Sequence, residues 1–211
     1  MRYSREHKQE THARIVRKAS VRLREKGAHG IGVADLMKEA GLTHGGFYAH
    51  FDSRDALVIE AFGYAIDRSI EHWRKLTGET APDKRLAAII EAYLAPTHRD
   101  DPGHGCAVTS LGAEIARESP KTRRAFAAKT EQLIDLIADQ IQNTPRKAAR
   151  KQATSLLATM MGTLVLSRIA GSGEFSDEVL QAGKEAALAR AAAMKPVPVK
   201  SAAKRARAKV N

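Results

Sequence analysis

The chain has 211 residues, 43% hydrophobic and only 5% aromatic, enough for a sizeable core built mainly from Ala, Leu and Ile. Its single cysteine, Cys106, excludes an intramolecular disulfide framework, and the charged start MRYSREHKQETHARIV contains no secretory apolar segment. The net charge of +11 lies wholly at the ends, with eleven Lys/Arg against six Asp/Glu in 1–54, six against none in 195–211 and eighteen of each between; this points to a polyanion-binding head on a neutral body.

In chain order, residues 8–26 predict a first helix with Ile15, Ala19 and Leu23 on one stripe, stopped by Gly27. Residues 33–40 predict a short second helix with Val33, Leu36, Met37 and Ala40 on one face. Gly41-Leu42 makes a tight turn, and Thr43 is placed to cap a third helix ending near Phe51. Ser53 then caps a long fourth helix carrying Ile59, Phe62, Ile66, Ile70 and Trp73 at helical spacing. Pro82 suits the start of the next, with Leu86, Ile89, Ile90, Tyr93 and Leu94 as its apolar face. PTHRDDPGHG reads as a loop, followed by a helix from about Cys106 to Glu118. Ser119 caps a helix that buries Phe126, Leu133, Ile134, Ile137 and Ile141. Pro145 opens another, apolar over much of its surface from Leu156 to Ile169, and GSGEFSDE turns into a last helix over roughly 176–194. No strand alternation survives, so the expected fold is all-α. The segment 195–211 lacks apolar periodicity and reads as a disordered basic tail. The longest apolar stretch, SLLATMMGTLVLSRIAG, is too short and too polar to span a bilayer, and the expected location is cytoplasmic.

The second and third helices, VADLMKEA and THGGFYAHF, have helix-turn-helix proportions, in which the second helix of the pair enters the DNA major groove. Phe47 and Phe51 are four apart and share a face suited to packing on the first helix. His44 and Tyr48 share the adjacent, polar face. The stretch ARIVRKASVRLREKG…VADLMKEAGLTHGGFYAHFDSRDALV resembles the TetR family of bacterial one-component regulators over about 45 positions, through the periodic first helix ending at Gly27, the Ala40-Gly41 turn, the Tyr48…His50-Phe51 run and Arg54. GCAVTSLGAEIARESPKTRRAF and MMGTLVLSRIAG…FSDEVL are similar to the branch of that family that includes repressors answering electrophiles such as N-ethylmaleimide.

The resemblance implies about nine helices, with a helix-turn-helix DNA-binding head over 1–54 and an effector-binding and dimerisation body over 55–194. It places Thr43, Tyr48 and Arg54 at phosphate-contacting positions and His44, Gly45 and Gly46 at positions facing bases. His50 is a DNA contact or an internal hydrogen-bonding residue of the head. The family usually has Thr or Ser just before Val33; this chain has Ile31-Gly32.

In the body, Trp73, Tyr93, Phe126, Met160 and Met161 are candidates to line an effector pocket, since aromatic and Met side chains suit apolar ligands; each also suits a plain core. Cys106 begins a predicted helix, a place that favours a thiolate, and is a candidate sensor of electrophiles or oxidants. Its alternative is a small apolar residue filling a helix junction. His98, Asp100, Asp101, His104 and Cys106 match no recognised metal-ligand spacing and read more simply as a solvated loop, so neither a metal nor a cofactor is expected. The apolar helix around 156–169 and the helix after it are the expected homodimer surface, with Ala158 and Gly162 allowing close approach. No nucleophile–base set, phosphate loop or carboxylate pair speaks for an enzyme. The expected function is a regulator, a repressor by expectation, that binds a palindromic double-stranded operator and is released by a small apolar or electrophilic effector. An architectural DNA binder without an effector is the alternative.

Overall fold

The computed structural model describes residues 5–194. Among them are nine α-helices and one 3-10 helix, with no strand: α1 (Arg5–Lys26), α2 (Val33–Glu39), the 3-10 helix His44–Ala49, α3 (Arg54–Gly78), α4 (Arg85–Tyr93), α5 (Pro96–Asp100), α6 (Ala107–Ile115), α7 (Pro120–Ala138), α8 (Arg146–Ile169) and α9 (Glu174–Ala192). The all-α fold expected from the sequence is what the chain adopts. The expected basic tail, 195–211, lies outside the described residues.

Local signals explain most boundaries. Gly27 takes φ 86° and closes α1 by donating its N–H to the Leu23 carbonyl at 2.8 Å. Ser53 and Ser119 cap α3 and α7 by accepting from the amides of Ala56 and Thr122. Three expectations are corrected. Pro82 sits in a turn, and α4 begins only at Arg85. The segment read as a loop from Pro96 contains α5, because proline at the first helical position lacks only an N–H that would be unpaired there anyway. The third helix is a 3-10 helix, with Gly46 donating to the Thr43 carbonyl and His50 to the Phe47 carbonyl, and the Thr43 side chain makes no cap bond.

The first three elements pack around Ile15, Ala19, Leu23, Leu36, Met37, Phe47 and Phe51, all buried. Helix α3 runs from this cluster into the rest of the chain, packing on both α1 and α7. Its buried stripe is Leu57, Val58, Ala61, Phe62, Ala65, Ile66, Ile70 and Trp73, whereas Ile59 is only half-buried. Helices α8 and α9 form the most extensive pair. They approach so closely at Gly183 that a Cβ there would lie 2.1 Å from Thr163 Oγ1, so the pairing requires glycine at that point.

Candidate nucleic-acid interface and effector cleft

The 3-10 helix presents two faces. Phe47 and Phe51 are 1% and 3% exposed and stack with ring centroids 5.4 Å apart, anchoring the segment on α1. Tyr48 is 70% exposed and stands edge-on to Phe47. His44 is exposed beside it, with ring centroids 6.4 Å apart, and Thr43 and Gly45 are exposed on the same end. A Cβ at Gly45 would meet nothing within 4 Å, and one at Gly46 would make only ordinary contact at 3.7 Å with Met37 Cε and Thr43 Oγ1. Neither glycine has positive φ. Nothing inside the described chain therefore demands glycine at either position.

Two other sequence candidates are turned inward. His50 is half-buried, its ring packed near His12 and Phe51, and its Nδ1 is buried without a hydrogen-bond partner. Burial, helped by His12 and Lys8, pushes its pKa below the ordinary histidine value. Arg54 is half-buried and donates to the carbonyls of Ala28 and Ile31, bracing the α1–α2 connection. At the N-cap of α2, Gly32 provides no side-chain hydrogen bond.

A cleft of about 610 Å³ lies where α1 meets α3 and the α4–α6 segment, a size typical of small-molecule sites. Trp73, Tyr93 and Cys106 all line it, with Trp73 edge-on to Tyr93 at 5.9 Å. Phe126, Met160 and Met161 are placed elsewhere. Phe126 stacks on Phe62 at 3.5 Å, Met160 is fully buried in the core, and Met161 packs against that core. Four cleft residues come from α1: Arg17, Ser20, Val21 and Arg24. Their participation escaped the sequence reading. Val16, Ser20 and Arg24 follow one another at i+4 and are all buried, so an arginine continuing a buried stripe was the available signal.

A hydrogen-bond chain crosses this junction. Arg24 donates through Nε to the Ser20 carbonyl and through Nη1 to the Gly105 carbonyl, each at 2.7 Å. The next residue, Cys106, is the buried N-cap of α6 and donates its N–H to His98 Nε2 at 2.9 Å. Because that nitrogen accepts, Nδ1 carries the proton and donates to the Tyr93 carbonyl at 2.6 Å. Arg168 of α8 completes the chain, donating to the carbonyls of His98 at 2.8 Å and Arg99 at 3.0 Å. The Tyr93 hydroxyl pairs with Thr109 Oγ1, and burial, reinforced by Cys106, holds its pKa well above the ordinary value.

His98 is neutral in this arrangement. Burial lowers its pKa, with Arg168 and Arg24 adding to the effect and the Tyr93 carbonyl opposing it. A depressed base is protonated more readily in the unfolded chain, so its contribution to stability is complete above about pH 6.5 and is lost as pH falls through the folded value. The expected result is an imidazole NMR titration for His98 with a midpoint below the ordinary histidine value, and a chain that loses thermal stability on acidification below that point. A His98 midpoint at or above the ordinary histidine value would contradict the hydrogen-bond assignment.

His104 pairs with Asp101 at the exposed mouth of the cleft, and no group of three or more potential metal ligands occurs among the described residues. No described helix is long and apolar enough to cross a membrane.

Comparison with known proteins agrees with this arrangement. Residues 15–61 match the family described as bacterial regulatory proteins, tetR family, and residues 82–183 match the tetracyclin repressor-like C-terminal domain. An HTH-type transcriptional regulator of Mycobacterium tuberculosis is 27% identical, over 74% of this chain and 83% of its own. The transcriptional repressor DhaR of Mycobacterium sp. strain GP1 is 27% identical, over 82% of this chain and 90% of its own. The structure of Escherichia coli NemR in its reduced form superposes with a TM-score of 0.69 at 22% identity, over 83% of this chain and 96% of that one; this likeness concerns the fold.

Proposed function

The chain belongs to the TetR family of DNA-binding transcriptional regulators, and from that premise we propose a homodimeric repressor whose hold on a palindromic operator is set by occupancy of the cleft between α1 and the rest of the chain. The observation that carries the proposal is the shared wall. α1, which supports the DNA-facing segment, contributes four side chains to the cleft and is fastened to its far side by Arg24 on the Gly105 carbonyl. A small molecule entering there bears directly on the orientation of the head, 1–54, against the body, 55–194. Relatedness to a named repressor supports the sign of the regulation.

At the interface, Thr43 and Tyr48 hold phosphates, and His44 reaches a base edge while Gly45 and Gly46 let the backbone approach. Arg54 acts at one remove, by fixing the α1–α2 connection, and His50 by packing on α1. Footprinting on DNA flanking the chain's own gene tests the proposal, with protection expected over two half-sites about one helical turn apart. Replacing Tyr48 by Phe is expected to weaken binding about tenfold on every sequence, the loss of one hydrogen bond to a charged group. Replacing His44 by Ala is expected to change the preferred half-site. An unprotected flank, or a Tyr48→Phe loss confined to one sequence, would count against these roles.

A second reading concerns Cys106, whose placement on the cleft wall beside His98, the Tyr93 hydroxyl and the Arg24 anchor supports a role in sensing electrophiles. Adding an electrophile to this buried sulfur enlarges it at the point where the Gly105 carbonyl holds α1. N-ethylmaleimide is then expected to release operator DNA from the unaltered chain and not from Cys106→Ser. Equal release from both would remove Cys106 from the mechanism.

A further inference from the structure

Arginine side chains are rarely buried without a carboxylate partner, because a desolvated charge is stabilised chiefly by an opposite one. Two arginines of this chain are only 8% exposed, and they are treated differently. Arg99 has its carboxylates, pairing with Asp100 and Asp177. Arg24 has none within salt-bridge reach among the described residues; its hydrogen bonds go to two backbone carbonyls, and Nη2 makes no hydrogen bond. Burial accordingly pushes the Arg24 pKa down. This guanidinium lines the cleft.

The rest of the cleft has the same bias. Arg17 and Arg68 stand on its wall, against a single acid, Asp101, which already accepts from His104. Arg68 alone of the three arginines has a glutamate, Glu71, outside the cleft lining. Behind the wall, Arg168 is likewise spent on carbonyls and the Ser110 hydroxyl rather than a carboxylate. The lining also includes the apolar Ala65, Trp73, Ala92 and Leu133.

We propose that the effector is an organic acid, a small molecule with an aromatic or aliphatic body and one carboxylate, which Arg24 Nη2 binds while the body lies against Trp73 and Leu133. The assignment rests on the cleft being the effector site and adds the ligand's chemical class. It also gives occupancy a route to the DNA, because the arginine that receives the carboxylate is the same side chain that ties α1 to Gly105.

Trp73 is the only tryptophan in the chain, so its fluorescence reports cleft occupancy in the full-length protein. The probes are 4-phenylbutyrate, its neutral amide 4-phenylbutyramide, and inorganic phosphate. The acid is expected to perturb Trp73 emission and to bind about tenfold or more tightly than the amide, as a charge-assisted bond to a buried cation should. Phosphate, lacking the apolar body, is expected to bind more weakly than the acid. Arg24→Gln should abolish the preference for acid over amide, and Arg24→Lys, which keeps the charge, should retain part of it.

Equal binding of acid and amide overturns the proposal, as does phosphate matching the acid, a preference that persists in Arg24→Gln, or no response to the acid up to about 10 mM. Should Arg24→Gln fail to fold by circular dichroism, the acid–amide comparison on the unaltered chain decides. Operator binding without any probe tests the regulator reading separately. An amide that releases operator as well as the acid does would overturn the anion assignment and leave effector control standing.

Discussion

The double variant Gly45→Ala/Gly46→Ala is expected to fold at least as well as the parent chain and to lose about 30- to 100-fold in operator affinity. The two halves of this expectation come from different observations. Within the protein, a methyl at Gly45 meets nothing and one at Gly46 makes ordinary contacts, neither residue needs positive φ, and alanine is the better helix former by roughly 1 kcal/mol per site. Stability should hold or rise. Against DNA, the glycines lie between Thr43, His44 and Tyr48 on the exposed end of the segment. Two added methyls keep the backbone from approaching the duplex, so that the hydrogen bonds of Thr43 and Tyr48 lengthen together; losing two such bonds costs about 2–3 kcal/mol. Thermal melting and fluorescence anisotropy on the same preparation separate the two effects. A variant that binds operator as the parent does would show that the glycines serve neither partner.

This pair also marks how far sequence reasoning carried. The Phe47/Phe51 spacing, the Ser53 and Ser119 caps and the Gly27 stop are local signals, each decided within about one helical turn, and the structure follows them. The segment around the glycines was legible as a helix with one aromatic side. Its 3-10 form was not, because two residues without side chains give no periodicity to distinguish three residues per turn from 3.6. Pro96 was misread for a similar reason: proline is a loop signal and a first-turn helix signal at once.

The cleft was legible only in part. Trp73, Tyr93 and Cys106 were singled out by residue type, and the fold brings them together. Phe126, Met160 and Met161 have the same chemistry but pack in the core, and residue type alone does not separate the two fates. What organises the cleft joins residues far apart in sequence: Arg24 with Gly105, 81 positions away, and Arg168 with His98, 70 positions away. Such pairings follow from helix packing rather than from any local pattern, and Arg24 was not among the residues singled out from the sequence.

Replacing both Leu166 and Ile169 by Glu is expected to convert the proposed homodimer into a folded monomer and to lower operator affinity about a hundredfold or more. On α8, Ala158, Gly162, Val165, Leu166 and Ile169 recur at helical spacing and are all exposed, with Phe175 exposed at the start of α9. Leu166 and Ile169 are 59% and 76% exposed, so carboxylates there disturb little within one chain; the buried face of the same helix, Leu156, Leu157, Met160 and Leu164, is untouched. A contiguous exposed apolar stripe of this kind is what a partner helix covers, and four glutamates across a two-fold interface repel each other in an apolar setting. Separating the heads turns one two-headed encounter with the operator into two independent ones, which removes the effective-concentration advantage. Analytical ultracentrifugation should show a monomer, and footprinting a weak protection no longer coupled between half-sites. A variant that stays dimeric with full affinity would move the interface elsewhere. The same substitution bears on regulation, because Arg168, between the two altered positions, holds the His98 and Arg99 carbonyls at the cleft. The monomer's weakened head should still lose DNA when the cleft is filled, since the tie from Gly105 to Arg24 on α1 lies within one chain.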